Sequence, residues 1–205
     1  MDILTPLQKT FLHKFSESPF RDSFFLTGGT ALAAFYLHHR LSEDLDFFTE
    51  SPMQVNLLIS WVEETARSLG LRPQLRRHSQ SFVDCFLEMP DGELLKVDFA
   101  QDSPFRFEKT RLDSQYGIYV DPLTDIACNK LSALYDRAEP KDFVDVYFLD
   151  REFLPFDQVF AKTKEKHAGL DDYWMAQALH RVELVQKLPR MLKDIDLGAQ
   201  EQISP

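Results

Sequence analysis

The sequence is poor in cysteine, in long apolar runs and in positive charge, and each shortage removes a class of function. Its two cysteines, Cys85 and Cys128, stand at unrelated spacing, which supports neither a disulfide framework nor a zinc site. Buried free thiols are expected. The six histidines show no metal-binding spacing, and the adjacent His38 and His39 read as surface groups at the C-terminal end of a helix. No apolar run approaches the length of a membrane span, and the N-terminus lacks the succession of a signal peptide. The expectation is a cytoplasmic protein with no membrane part. With 23 Lys and Arg against 33 Asp and Glu, the formal net charge is −10, which argues against a protein that coats nucleic acid through counterion release. A local basic groove stays compatible with that balance. The 205 residues suffice for one substantial core, with no repeat, low-complexity linker or second catalytic constellation.

What is present concentrates between Gly28 and Phe48, in GGTALAAFYLHHRLSEDLDFF. Asp44, Leu45, Asp46, Phe47 and Phe48 begin with the alternation of a half-buried strand. Residues two apart on a strand share a face, so Asp44 and Asp46 project side by side. Two carboxylates so close repel unless a cation sits between them, and a hard divalent metal is the economical partner. A strand edge with two solvated aspartates would produce the same triplet. Upstream, the apolar Phe24, Phe25 and Leu26 lead into Thr27, Gly28, Gly29 and Thr30 and then a helix through Leu37. Glycine lets a phosphate approach the backbone, and a helix start offers unpaired N–H donors. A simple turn remains the alternative.

Together these residues resemble the signature of the AbiEii/AbiGii-type abortive-infection nucleotidyltransferases, in the polymerase-beta-like nucleotidyltransferase superfamily. The match covers the Gly-Gly-Thr-x-Leu opening and the Arg40, Ser42, Asp44, Asp46 ending. The resemblance implies an α+β fold: a nucleotidyltransferase-like mixed or antiparallel sheet packed by helices, with a C-terminal helical extension. Residues 1–120 would form the nucleotidyltransferase core and 121–205 a helical region packed on it.

In chain order, a helix is expected over Thr5 to Phe15, with Leu7, Phe11, Leu12 and Phe15 on one side, and a second from Pro52 to Leu69, ended by Gly70. Strands follow over Gln74 to His78, Ser81 to Met89 and, after Pro90-Asp91-Gly92, Leu94 to Phe99. On the last, Lys96 and Asp98 share a face. Asp98 is the candidate third metal carboxylate, since the superfamily resembled here supplies a later acid from such a strand; a surface Lys–Asp pair is the alternative. Arg106 to Arg111 and Tyr116 to Val120 suggest further strands. Asp121-Pro122 opens a helix that puts Lys130 and Arg137 on one stripe. Pro140 breaks it, and a further short helix begins at Lys141 with Asp142 and Asp145 one turn apart. Helices are expected again over Phe156 to Lys166 and Asp172 to Lys187, where Trp174, Ala178, Val182 and Val185 form a core-facing stripe. The end, Gln200 to Pro205, reads as frayed.

The block NKLSALYDRAEPKDFVDVYFL, from Asn129 to Leu149, also resembles the AbiEii type. It implies Lys130 on nucleotide phosphates and Asp142 or Asp145 as a polar or acid/base group. The mechanism so implied is transfer of a nucleoside monophosphate from a nucleoside triphosphate to an acceptor hydroxyl. Mg2+, or Mn2+, would sit on Asp44, Asp46 and Asp98. The phosphates would lie against Gly28, Gly29 and Thr30, steadied by Lys130 and Arg40, with Ser42, Lys96, Arg137 and Asp142 also binding substrate and Asp145 catalytic. The resemblance further implies the toxin of a toxin–antitoxin system, with an antitoxin from a neighbouring gene and RNA, including the tRNA 3′ end, as acceptor. Arg72, Arg76, Arg77, Arg106, Lys109 and Arg111 are the cations available to an RNA backbone. A small-molecule nucleotidyltransferase of aminoglycoside-modifying type, or a silent nucleotide-binding module, would share the same carboxylates.

Overall fold

The computed structural model describes residues 3–195, so the expected fraying of Gln200 to Pro205 lies outside the described residues. The chain runs α1 (Pro6–Ser16), β1 (Phe25–Thr27), α2 (Gly28–Leu32) continuing as a π-helical turn (Ala33–Leu37), β2 (Leu45–Thr49), α3 (Val55–Ser68), β3 (Arg72–Ser79), β4 (Phe82–Glu88) and β5 (Leu94–Gln101). It continues with β6 (Arg111–Asp113), β7 (Ile118–Val120), α4 (Leu123–Asp136), α5 (Pro140–Glu152), α6 (Phe156–Lys166), α7 (Asp172–His180) and a 3₁₀ turn (Arg181–Leu184). The strands form one seven-stranded mixed sheet in the order β3-β4-β5-β2-β1-β7-β6. This is the α+β architecture expected from the sequence.

Period-two alternation decides what each face of the sheet does. Leu45, Phe47, Val97, Phe99, Val83 and Leu87 are fully buried on the face covered by α1 and α3. There Phe47 stacks on Phe99 with ring centroids 5.4 Å apart, and Phe15 of α1 lies 4.1 Å from Phe47. The alternate residues, Asp46, Lys96, Asp98 and Asp84, therefore emerge on the opposite face. A Thr5–Gln8 capping box starts α1, and the same Gln8 side chain donates to Ser42 O at 2.9 Å. The first helix is thus tied to the segment before β2. Both cysteines are free and buried, and burial pushes the Cys85 thiol up to about 12. No helix among the described residues is long and apolar enough to cross a membrane.

The C-terminal helices pack on one another, with α4 against α2, α5 and α6. A fully buried ion pair, Lys166 Nζ to Asp125 Oδ1 at 2.8 Å, joins α6 to α4. Asp125 also accepts from the backbone N–H groups of Phe107 and Glu108. That anchorage holds Arg106 to Thr110 as a loop, so the strand expected from Arg106 begins only at Arg111. Pro140 opens α5, where its missing N–H costs nothing, and the helix it starts, expected to be short, runs to thirteen residues. The helix expected to reach Lys187 stops at His180. Its expected core stripe finds a core only in part: Ala178 is buried, with Met175 beside it, but Trp174 is 60% and Val182 52% exposed. With little apolar surface to bury, the chain leaves the helix and runs extended beside Arg40, with Leu41 N–H donating to Arg190 O at 2.8 Å and Leu192 N–H to His39 O at 2.8 Å.

Because Phe47 fills the layer directly behind the Asp46 strand, Phe47→Ala is expected to lower the unfolding free energy by about 3–5 kcal/mol. Urea unfolding monitored by circular dichroism measures it.

Candidate active site

On the open face the sheet register brings the acids together. Asp46 of β2 pairs with Asp98 of β5, which pairs in turn with Asp84 of β4. Directly paired residues share a face, so these carboxylates form a row across three strands. Asp44, just before β2, completes the group with Asp46 and Asp98 along one wall of a cavity of about 470 Å3. Asp46 and Asp98 share a strand face, whereas Asp44 precedes β2 and reaches the same cavity from the loop. Lys96 is bonded to Asp98 Oδ2, while Asp98 Oδ1 is buried without a hydrogen-bond partner.

Against this wall stands the glycine turn. Gly28 has φ +71°, and a Cβ there would collide with the Asp46 carboxylate, so no other residue lets the turn approach β2 so closely. A Cβ on Gly29 would lie 2.7 Å from Arg40 Nη2 and 2.9 Å from Ser42 Oγ. Gly29 therefore faces the cavity with bare backbone. Thr27 caps none of the helix N–H groups; its hydroxyl donates instead to Asp121 Oδ2 at 2.6 Å. Thr30 is fully buried and its hydroxyl donates to Asp44 O. It fixes the backbone that carries Asp44 and does not reach the cavity.

The third wall is organised by Asp145 of α5, which is fully buried. It accepts from His39 Nε2 at 2.7 Å, from Arg40 Nε at 2.7 Å and from Arg40 Nη2 at 2.8 Å, and it pairs with Lys130 Nζ at 2.8 Å. Burial on its own would raise this carboxyl, yet Lys130, Arg40 and His39 together hold it well below the usual carboxylate range. With both of its oxygens engaged by these donors, Asp145 holds Lys130 and Arg40 beside Gly29. His39 departs from the expectation of a surface group. It is fully buried against Phe148, 5.1 Å between ring centroids, and burial lowers its pKa. The neighbouring His38 takes the left-handed conformation, φ 52°, that ends the π-helical turn and points the next two side chains inward.

Arg137 lines the cavity while its guanidinium binds Asp142 through two contacts of 2.8 Å. Asp142 itself is buried, closes the capping box of α5 and stays off the cavity. Of the residues expected at the site, Gly29, Arg40, Ser42, Asp44, Asp46, Lys96, Asp98, Lys130 and Arg137 line one space; Gly28, Thr30, Asp142 and Asp145 stand behind it. Lys141, Lys187 and Arg190 also line it, and sequence reading missed them. The last two arrive on the extended C-terminal segment, which no local pattern places there. The lining holds seven basic side chains and four acidic ones, so this protein of net charge −10 has a cationic cavity.

Burial, and then the repulsion of Asp98 and Asp44, push the Asp46 carboxyl up to about 6 against the relief from Lys130 and Lys96. Burial also raises Asp98, despite Lys96. Self-repelling carboxylates with a buried unpartnered oxygen are the donor set a hard cation suits. Among the described residues no three His, Cys, Asp or Glu side chains converge to hold an ion alone. The expectation that Asp44, Asp46 and Asp98 together hold an ion is therefore not met by their side chains alone; a hard cation taking one or two of these carboxylates would draw its remaining oxygens from substrate phosphates or water.

Comparison with known proteins concerns the chain as a whole. The family model for the nucleotidyl transferase AbiEii toxin of type IV toxin–antitoxin systems matches residues 10–201. An uncharacterized protein of Aquifex aeolicus, aq_aa25, is 32% identical over 167 residues, covering 80% of this chain and 76% of that protein. Among solved structures, JHP933 from Helicobacter pylori aligns with a TM-score of 0.55 at 19% identity, over 84% of each chain. MenT4, a nucleotidyltransferase toxin from Mycobacterium tuberculosis, aligns with a TM-score of 0.50 at 16% identity, over 95% of this chain and 84% of its own. These structural likenesses bear on the fold.

The Asp46 shift has a consequence for stability. With a folded pKa of about 6 against an ordinary 3.8, the folded protein binds this proton more tightly than the unfolded chain. Its contribution is therefore lost as pH rises between those values and stays lost above them. Asp46→Asn relieves at most about 3 kcal/mol of that strain and is expected to raise Tm at neutral pH in chelator. Added Mg2+ should raise the Tm of the wild type and leave that of the variant in place, as read by thermal unfolding.

Proposed function

This chain belongs to the AbiEii nucleotidyl transferase toxin family of type IV toxin–antitoxin systems, and from that premise we propose that it transfers a nucleoside monophosphate from a nucleoside triphosphate to a hydroxyl of RNA. The observation that carries the reading is the meeting, in one cavity of about 470 Å3, of an acid pair, a bare glycine turn and a cation pair held by a buried carboxylate. Substrate phosphates lie against Gly29, where backbone can approach them. Arg40 and Lys130 meet their charge from fixed positions, which need no reorganisation as charge shifts during transfer. Arg137, Lys141 and Arg190 extend the positive lining toward the mouth. Asp44 and Asp46, with Asp98 beside them, would hold a divalent cation. When bound, that ion supplies Lewis-acid polarisation of the α-phosphate and a lowered pKa of the acceptor hydroxyl. The acceptor oxygen bonds to the α-phosphorus, the bond from that phosphorus to the bridging oxygen breaks, pyrophosphate leaves and the hydroxyl proton passes to solvent. As the toxin of its system, the protein would be restrained by the product of a neighbouring gene.

Incubation with each α-labelled triphosphate, Mg2+ and total RNA tests this. Label is expected in RNA with the wild type and at background with Asp44→Asn. Lys130→Ala should cut transfer by about 100- to 1,000-fold, while retaining Mg2+ affinity. An RNA acceptor makes activity fall steeply with salt; full activity in Asp44→Asn at equal Mg2+ overturns the mechanism, and a flat salt profile overturns the acceptor.

A further inference from the structure

Beyond the cavity the open face of the sheet continues to its free edge, and its side chains there are not those of a plain solvated surface. Along β4, Phe82, Asp84 and Phe86 share this face. Phe82 and Phe86 are half-buried, yet neither packs with the hydrophobic core. Among the described residues α3 is the helix packed substantially on β3 and β4, and it lies behind the sheet. Edge strand β3 supplies the cover instead. Its register against β4 shifts between Leu75 and Arg77, and a bulge of this kind re-aims side chains. Here Arg76 and Arg77 reach the same open face, where a regular strand would send them to opposite faces. The Arg76 guanidinium lies 5.3 Å from the Phe86 ring centroid and that of Arg77 lies 5.6 Å from Phe82.

Charge and continuity narrow what this face suits. Arg77 is bound to Asp84 at 3.1 Å, and Arg72 stands 3.8 Å from Glu88. Arg76 forms no ion pair among the described residues and donates only to the neutral Gln74, at 3.3 Å. Phe86 is paired directly with Lys96, which lines the cavity, and Asp84 with Asp98. From the cavity wall to the edge is therefore two strand spacings, about 10 Å. Charged residues on an edge strand are also a guard against strand pairing, but that role needs no aromatic rings beneath them.

Resting on the RNA-acceptor reading above, we infer that the open face of β5, β4 and β3 is the track for the single-stranded 3′ end of the acceptor RNA. The terminal hydroxyl enters at Lys96 and Asp98, a preceding base stacks on the outer face of the planar Arg76 guanidinium that the Phe86 ring supports from beneath, and the Arg76 and Arg72 charges meet the backbone phosphates. Aromatic rings and arginine planes on a sheet are a recurring surface for unpaired bases, tolerant of sequence because every base has a π-face.

The test is fluorescence anisotropy with a labelled, unstructured oligoribonucleotide, alongside triphosphate binding in Mg2+ by the same full-length proteins. Arg76→Ala and Phe86→Leu are each expected to weaken RNA binding about tenfold, and Arg76→Ala to reduce the salt slope by about 0.7, with triphosphate affinity unchanged. Phe86→Tyr keeps the ring and should keep the affinity. Unaltered RNA binding in both Arg76→Ala and Phe86→Leu, or equal loss in the Leu and Tyr variants, overturns this track and leaves the acceptor reading standing. Polyglutamate competing as well as RNA assigns the face to an acidic protein and overturns it too. A wild type without RNA affinity overturns track and RNA acceptor together, whereas one without triphosphate affinity overturns nucleotidyl transfer itself.

Discussion

A single carboxylate with no access to water sets the geometry of the candidate site. Asp145 takes hydrogen bonds or ion pairs from His39, Arg40 and Lys130, which arrive from the end of the π-helical turn and from α4. An anion buried this deeply is tolerable only because its partners are many and well placed, and removing one partner of such a set typically costs about 3–5 kcal/mol. The fold is thereby obliged to bring α4, α5 and the His39–Arg40 segment together. The same obligation sets two cations beside Gly29, with more positive charge than Asp145 alone can neutralise.

The opposite wall has the complementary problem. Asp44, Asp46 and Asp98 sit near one another with too little relief, and the raised Asp46 and Asp98 carboxyls record the strain. One wall has surplus positive charge and the other surplus negative charge, and a metal-bound triphosphate satisfies both at once. This is why the overall acidity of the chain is a poor guide to its ligand. The charge that matters is sorted at the scale of a few ångströms, inside the cavity.

What was legible in the sequence follows the reach of the forces involved. Strand alternation is local, so it could pair Asp44 with Asp46 and Lys96 with Asp98, but joining the two pairs took the family resemblance; Gly28 and Gly29 were legible because a turn into a helix has a local signature. Lys130 and Asp145 came only through family resemblance, and nothing in their neighbourhoods announces that Asp145 is an anchor for other side chains. That depends on burial, which put His39 inside as well. Lys187 and Arg190 were invisible because the helix expected to reach Lys187 stops at His180 and the chain beyond it runs extended to the site; Trp174 and Val182 have the spacing of a buried stripe but no layer to receive them. The bulge at Arg76 was equally hidden, since one extra residue in a strand leaves no mark in composition. Most strands and helices were within reach because alternation and caps are local patterns, whereas the α+β class came through the family resemblance and the sheet order, β3-β4-β5-β2-β1-β7-β6, rests on long-range pairing that no local pattern carries.

The central claim is that phosphates and metal meet between the two charged walls. A crystal structure with a non-hydrolysable nucleoside triphosphate and Mn2+ addresses it most directly, since manganese is located by its anomalous signal. The account expects an anomalous peak on Asp44 and Asp46, with triphosphate oxygens against Gly29 and within reach of Lys130 and Arg40. A nucleotide bound outside this cavity, or manganese away from both aspartates, would contradict it.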